Sequence, residues 1–510
     1  MVSLHRLGAV DIGSNSIRMQ AAEVAPGEPP RPLVEDRAVV RLGESVFQHG
    51  VVSAEAMDHA SRALRRMAAL LREHQILSFR AVATSAIRDA RNQDEFLLRA
   101  QLALGGVRPE IISGGEEARL IHLGVQSRWP HSRENIVIID IGGGSAEVIE
   151  SRGGKVVTAL SKPLGAVRLT QLFFAHDPPS ARELRQFTEY VLEKIVPITD
   201  QIKADSFDRV VVTAATAAAA VRAVHGIAAS ETNEIDHLSA SSPDILKLYE
   251  KLSRQRLRER QLVKGIGSRR AEIIIAGVGV LALILDALRA DVCFYSTAGV
   301  RDGVIADLAA HYSERSPAHL DEDQRTSVRA LADRCGVERK HAQRVADLSS
   351  QLFEALRPIH GLEPRYGGLL EAAAHLHDVG HFVSSTRHHR HSFYLVVNAD
   401  LPGLDRSARL FIGNLCRYHR KNMPKPSNEG FRALGDKQQE ALLKTIPLLR
   451  IADSFDRSHR QLISAVQVTI HPEEVVLELN SSGDTALEQW AASQHADVFL
   501  QVYGRRLVIR

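Results

Sequence analysis

Two short strings set an acidic residue where an apolar strand gives way to glycine and small hydroxyl side chains. The first is Val10-Asp11-Ile12-Gly13-Ser14-Asn15-Ser16-Ile17-Arg18. The second is Ile138-Ile139-Asp140-Ile141-Gly142-Gly143-Gly144-Ser145-Ala146-Glu147. Glycine lets a backbone turn tightly and approach an anion closely. Backbone N–H groups and serine hydroxyls in such a turn can hold phosphate oxygens. An Asp at a strand end can hold Mg²⁺, directly or through water. Two such loops facing each other would clamp a phosphate across a cleft. This predicts phosphate contacts from Ser14, Asn15, Ser16, Gly142, Gly143, Gly144 and Ser145, with Asp11, Asp140 and Glu147 as metal-linked acids. The competing reading, two unrelated hairpin turns, makes the matched order of the strings a coincidence.

The elements needed to position these loops are legible in the apolar pattern. Residues 4–24 read as strand, loop, strand, and 26–32 as a turn-rich connection. Met57, Ala60, Leu64, Met67 and Leu71 recur at helical spacing behind the N-cap candidate Ser53. Phe79–Ala83 and Pro109–Ile112 read as strands, with helices from about Asn92 and from Glu116 to about Gln126. A second half begins near Asn135, with strands at 136–141, 146–150, 155–160 and 209–213 and an Ala-rich helix from Ala214 to Val224. The apolar run from Ile273 to Leu288 contains Gly277, Gly279 and Asp286, and reads as strand, turn and helix. Val292–Ser296 reads as a last strand. Strands alternating with helices in two consecutive halves predict a duplicated α/β architecture. A linker at 312–317 marks a boundary, after which the pattern turns helical. The last forty or so residues alternate again at 466–470, 475–479, 498–502 and 507–509, which predicts a small β-containing tail.

Composition bounds the function. The chain has 510 residues, 44% hydrophobic and 25% charged, in the range of soluble globular proteins. A net charge of +3 provides no global field for a nucleic-acid partner. Three widely spaced cysteines fit neither a disulfide framework nor a Cys-based zinc site. The cysteine usage, with no apolar stretch long enough for a signal peptide or a bilayer span, predicts a cytoplasmic protein without a membrane partner.

The ordered strings VDIGSNSIRM (10–19), ATSAIRDA (83–90), IISGGEEARLIHLGV (111–125), IIDIGGGSAEV (138–148), SRRAEIIIAGVGVL (268–281) and STAGVRDGVIADL (296–308) resemble the exopolyphosphatase / guanosine pentaphosphate phosphohydrolase family. That family is part of the actin-like, sugar-kinase-like phosphotransferase superfamily. The resemblance continues through LHDVGH (376–381), HRHSFYLVVNADLPG (389–403) and RYHRK (417–421), as in the longer exopolyphosphatases. It implies an α/β fold of two actin-like (ribonuclease H-like, ASKHA) lobes around a cleft, at 1–132 and 133–311. A helical HD-like domain at 318–465 and a small C-terminal α+β region at 466–510 would follow. It implies metal-dependent hydrolysis, with Mg²⁺ or Mn²⁺, of the terminal phosphate of inorganic polyphosphate. The alternative is removal of the 5′ phosphate from guanosine pentaphosphate to give the tetraphosphate. A homodimer is expected.

The resemblance implies a water-activating role for Glu117, the second Glu of its string, whereas Glu116 reads as a first-turn acid favoured by the helix dipole. It implies that Arg88 faces the scissile phosphate, where a guanidinium can fork onto phosphate oxygens. Asp140 and Glu147 join them as catalytic acids. Arg301 either fixes a phosphate or pairs with Asp302. The basic stretch from Arg254 to Arg270 either guides a polyanion or is a solvated helix face. An actin-like ATPase or kinase, and a non-catalytic polyphosphate scaffold, are the functional alternatives. The first needs an adenosine pocket that no sequence element specifies, and the second leaves the acidic loop residues without a use.

His341, His377-Asp378 and Asp453 follow the order of metal-dependent HD phosphohydrolases, which implies a second divalent metal held by four ligands. His391 and His419 are the candidates for a further ion there. The run from Arg387 to His391 reads as an anion-contacting loop. The competing reading is a vestigial helical domain whose histidines are buried and hydrogen-bonded, or line a polyphosphate channel.

Overall fold

The computed structural model describes residues 4–25, 28–76, 78–131, 133–203, 206–229, 231, 235–312, 319–420 and 422–510. Parts of the connection expected at 26–32, all but Tyr312 of the linker at 312–317, and Lys421 lie outside these. The chain divides into two compact units, 1–313 and 314–510.

The first unit is built on two sheets of like topology. In the first, β1 (His5–Ile12), β2 (Ser16–Val24) and β3 (Arg31–Val39) form an antiparallel meander. β4 (Ser78–Ala83) and β5 (Glu110–Ile111) then add in parallel on the other side of β1, giving the order β3-β2-β1-β4-β5. In the second, β6 (Asn135–Ile141), β7 (Ala146–Arg152) and β8 (Lys155–Lys162) repeat the meander. β9 (Arg209–Thr213) lies parallel to β6, and β11 (Val292–Tyr295) lies parallel to β9. A short antiparallel edge, β10 (Ser239–Ser241), completes the order β10-β11-β9-β6-β7-β8. The run NIVIIDI of β6 is buried from its second residue on, as an interior strand covered on both faces must be. The duplication read from the sequence is therefore a duplication of topology.

Helices form where the periodicity placed them. Helix Ala54–Glu73 buries Met57, Ala60, Leu64, Met67 and Leu71, and the Ser53 hydroxyl accepts the amide of Ala56. The run from Ile273 to Leu288 corrects its reading as strand, turn and helix, because Ile274–Ala287 is one helix. Its glycines serve packing rather than a turn. A Cβ on Gly277 would lie 2.5 Å from the Thr216 methyl, and one on Gly279 would lie 2.7 Å from the Tyr249 ring. Close packing against neighbouring elements thus overrides the low helix propensity of glycine.

A buried ion network joins β4, the helix Gly114–Arg128 and the helix Val300–Tyr312. Arg80 pairs with Glu110 at 2.9 Å, Asp307 at 3.0 Å and Glu116 at 3.3 Å. Arg119 pairs with Glu116 and Asp307, both at 2.8 Å. Glu116 is thus held by two guanidinium groups, a stronger constraint than the helix dipole invoked for it.

The second unit is helical around one core that also receives a three-stranded sheet, β12 (Ile463–Ile470), β13 (Glu474–Ser481) and β14 (Arg506–Ile509). The alternation at 498–502 is not a strand. It lies in the helix Ala496–Tyr503, which buries Phe499. No described helix is long and apolar enough to cross a membrane.

Removing one partner of a buried ion pair leaves an uncompensated charge. Glu116→Gln is expected to lower stability by on the order of 2–3 kcal/mol, read as an earlier thermal transition. A transition unchanged from wild type would contradict the role given to this network.

Candidate functional site

The two acidic strings are hairpins of like register. Asp11 pairs across the ladder with Arg18, and Asp140 with Glu147. In each turn a glycine amide donates to a serine carbonyl: Gly13 to Ser16 at 3.2 Å, and Gly142 to Ser145 at 3.0 Å. Each turn is also tied to the start of a helix. The amide of Gly43 donates to Ser14 O, and those of Val40 and Arg41 donate to Asn15 O. The amide of Ala166 donates to Gly142 O, and those of Val167 and Arg168 donate to Gly143 O. These bonds take up the loop carbonyls, so their lone pairs do not oppose an incoming anion.

The loops touch each other. A Cβ on Gly143 would lie 3.0 Å from Ser14, and one on Gly144 would lie 2.4 Å from the Ser85 hydroxyl. Gly142, Gly143 and Gly144 all have negative φ. Close approach between the halves, rather than a left-handed turn, is what requires glycine here. The strand-to-helix junctions are duplicated too. Thr84 follows β4 as the N-cap of Ser85–Asp89, and Thr213 ends β9 as the N-cap of Ala214–His225. Ala214 holds φ +65°, a strained value for a residue with a Cβ, at the cleft wall.

A cleft of about 250 Å³ opens between the loops. The structure brings into it Asp11, Ser14, Asn15, Ser16, Glu117, Asp140, Gly142, Gly143, Gly144, Ser145 and Arg301 from the sequence reading. Glu147 sits directly behind, 1% exposed, and accepts the Ser161 hydroxyl at 2.7 Å. Glu117 lies in the first turn of Gly114–Arg128, where the Ser113 hydroxyl accepts the amide of Glu116 at 3.1 Å. Arg88 stands 3.3 Å from the Glu117 carboxylate and donates to Ile112 O at 2.7 Å. It does not line the cleft itself but an adjoining pocket, with Asp89, Lys162 and Arg168.

The electrostatics follow from crowding. Burial, and next the Glu147 charge, push Glu117 well above the usual carboxylate range. Burial, and next Glu147, push Asp140 up to about 8. Burial also raises Asp11, against the pull of Arg18, and raises Glu147, against its hydroxyl partners. Four carboxyl groups thus share one enclosed space. Among the described residues, the cleft offers carboxylate and hydroxyl oxygens as metal donors and no imidazole or thiol. That donor set fits Mg²⁺, with Asp11, Asp140 and Glu147 as the residues to hold it.

Arginines share the cleft with these acids, and the sequence reading missed most of them. Arg18, Arg270 and Arg301 line the cleft. Burial, and next the Arg301 charge, lower Arg18, and burial with Arg18 and Arg37 lowers Arg270. Arg301 does not pair with Asp302. It approaches Met19 O at 3.4 Å and Glu35 at 4.0 Å, while Asp302 pairs with Arg128 at 3.2 Å. The basic stretch divides by role. Arg270 enters the cleft, whereas Arg260 is buried and donates to Ala271 O at 2.9 Å. A cue for Arg18 was present: it occupies the hairpin position that Glu147 takes in the other half.

A model of the Ppx/GppA phosphatase family matches residues 21–311, and a model of Ppx/GppA phosphatase domain III matches 324–494. The chain belongs to the Ppx/GppA phosphatase family. It is 28% identical to a guanosine-5'-triphosphate,3'-diphosphate pyrophosphatase of Vibrio vulnificus (strain YJ016), over 93% of this chain and 90% of that one. A protein of the same name from Vibrio parahaemolyticus is 27% identical, over 94% of each. Among solved structures, the Aquifex aeolicus Ppx/GppA family member is 26% identical with a TM-score of 0.53, covering 61% of this chain and all of that one. An exopolyphosphatase from Cytophaga hutchinsonii is 25% identical with a TM-score of 0.55, covering 60% and 98%. The actin-like α/β fold expected from the motifs is the fold of these Ppx/GppA proteins.

For this family member the raised Asp140 has a consequence in the metal-free state. Its folded pKa lies above its unfolded one, so the folded chain binds the proton more tightly. The stability this contributes is present at low pH and lost as pH rises from about 4 to about 8. Asp140→Asn keeps a neutral side chain throughout. In EDTA its advantage over wild type in thermal unfolding is expected to grow between pH 5 and pH 8.5, by on the order of 2–4 kcal/mol. An equal difference at both pH values would contradict the assignment.

Proposed function

We propose that this chain hydrolyses the terminal phosphoanhydride of guanosine pentaphosphate, with Glu117 as the general base. The observation that carries the reaction is the Glu117 carboxyl, buried in the cleft beside both glycine loops and raised in proton affinity. In this reading the two loops present amides and hydroxyls to the phosphate chain. Glu117 takes a proton from a water molecule, whose oxygen bonds to the terminal phosphorus. The P–O bond to the bridging oxygen breaks, and the shortened phosphate chain leaves with that oxygen. Arg88 orients the Glu117 carboxylate and offers charge to the transferred group. A bound Mg²⁺ supplies charge neutralisation on the phosphate oxygens.

The choice of substrate rests on coverage and on the arginines of the cleft. The relatives matched over 93% and 94% of this chain are named for a nucleotide carrying phosphates at both 5′ and 3′ positions. Arg18, Arg270 and Arg301 line the cleft together with Glu117, and three guanidinium groups there suit a substrate with a second phosphate arm. The second reading is inorganic polyphosphate, favoured by the likeness to the Cytophaga hutchinsonii exopolyphosphatase over 60% of the chain. The helical second unit does not separate the two.

Phosphate release from guanosine pentaphosphate, long-chain polyphosphate and ATP, measured side by side with Mg²⁺ and with EDTA, tests this. The pentaphosphate is expected to show the highest kcat/KM, and EDTA to abolish turnover. A higher kcat/KM for polyphosphate would move the assignment to the second reading. Glu117→Gln is expected to cost roughly 10²–10⁴ in kcat with KM little changed. Activity within twofold of wild type would remove Glu117 from the role of base.

A further inference from the structure

The second unit gathers histidine and aspartate from separate helices into one buried cluster. His341 lies on Arg339–Ala355 and Asp453 near the end of Asp436–Ser454. His377 and Asp378 follow Arg365–Leu376, and His381 sits in the 3₁₀ turn Val379–Phe382. His388 opens His388–Asn398, and His419 closes Arg406–Tyr418. His388 thus belongs to a helix and not to the anion-contacting loop expected at 387–391. It stands where the sequence reading placed His391.

The separations decide what the cluster is for. His341 Nε2 lies 3.4 Å and His377 Nε2 3.6 Å from Asp453 Oδ1. His377 Nε2 lies 3.5 Å from Asp378 Oδ2. On the other side of that carboxylate, Asp378 Oδ1 lies 3.4 Å from His388 Nε2, 3.6 Å from His381 Nε2 and 3.9 Å from His419 Nε2. His388 Nε2 and His419 Nε2 are 3.3 Å apart. Most of these are long for hydrogen bonds, which run about 2.7–3.2 Å. They match the edge of a coordination tetrahedron, about 3.4 Å for metal–donor bonds of about 2.1 Å.

Two independent features point the same way. His377 is 0% and His341 2% exposed, yet Nε2 of each, like Asp378 Oδ1, has no hydrogen-bond partner among the described residues. An orphaned buried polar atom is costly unless something absent satisfies it. The outward nitrogens, by contrast, are anchored. His377 Nδ1 donates to Ala374 O at 2.8 Å, and His419 Nδ1 donates to Cys416 O at 2.6 Å. His341 Nδ1 meets the buried carboxylate of Asp456 at 2.9 Å. A carbonyl can only accept, so Nδ1 carries the proton and Nε2 turns a lone pair into the cluster. That is the outer-shell arrangement metal-binding histidines use.

We propose that the second unit binds a pair of divalent first-row transition-metal ions bridged by Asp378. His341, His377 and Asp453 complete one site, and His388, His419 and His381 complete the other. The imidazole-rich donor set selects Mn²⁺, Fe²⁺, Co²⁺ or Zn²⁺ over Mg²⁺, unlike the oxygen donors of the cleft. The Asp378 side chain is 19% and that of His381 43% exposed, so an exogenous oxygen ligand can reach the pair from that edge.

The test uses the full-length chain, stripped with chelator and reloaded with micromolar Co²⁺ in millimolar Mg²⁺. After desalting, cobalt per chain is counted by plasma mass spectrometry. Two cobalt ions are expected in wild type. One is expected in the double variant His388→Ala/His419→Ala and one in His341→Ala, with less than one in Asp378→Asn. Circular dichroism establishes that each variant is folded. The wild-type count stands alone if a variant does not fold. Fewer than two cobalt ions in wild type would overturn the bridged pair. So would a count of two that survives these substitutions in folded variants, because it would place the ions elsewhere.

Discussion

Four carboxyl groups cannot be buried together without a structure that forces them to be. Burial makes Asp11, Glu117, Asp140 and Glu147 each resist ionisation, and the neighbouring carboxylates add to this at Glu117 and Asp140. The fold meets this with rigidity. Two of the four acids end central strands, Glu147 lies across the ladder from one of them, and Glu117 sits in a capped helical turn. The Arg80–Glu116–Arg119–Asp307 network then locks that helix to the sheet. The repulsion is stored as proton affinity, which a cation can relieve and a base can use.

Duplication explains how such a site arises, and departure from duplication explains what it can do. The hairpins match in register, in turn hydrogen bond and in the helix start that holds their carbonyls. They differ at one telling position, where Arg18 stands in one half and Glu147 in the other. That exchange of sign polarises the cleft. The cleft thereby holds Arg18, Arg270 and Arg301 as well as the acids. A symmetric pair of acidic hairpins would repel a polyanion, and a symmetric pair of basic ones would bind it without a base.

Much of this was legible in the sequence because strand-end acids and glycine loops are local patterns. The loops and the α/β alternation show in runs of ten residues or so, whereas the role expected of Glu117 came from the family resemblance of its string. What was not legible depends on contacts between distant segments. Ile274–Ala287 looked broken by Gly277 and Gly279 until Thr216 and Tyr249 were seen to need the space. Arg270 looked like one more charge in a basic run, yet its neighbours in space are Arg18 and Arg37. His388 was passed over for His391 because a run of charged and His residues reads as a loop. Only the helix starting at His388 turns that residue toward Asp378.

The acidic cleft and the histidine–aspartate cluster of the second unit differ in donor chemistry. The cleft offers oxygen, which suits a hard ion that keeps water and exchanges fast. The second unit offers imidazole nitrogen around two aspartates, which suits ions higher in the divalent affinity series. On the proposed assignments, a transition metal would favour the imidazole donors while Mg²⁺ in excess would favour the oxygen-lined cleft. Loading of the second unit and occupancy of the cleft would then be separable variables, set apart by donor chemistry.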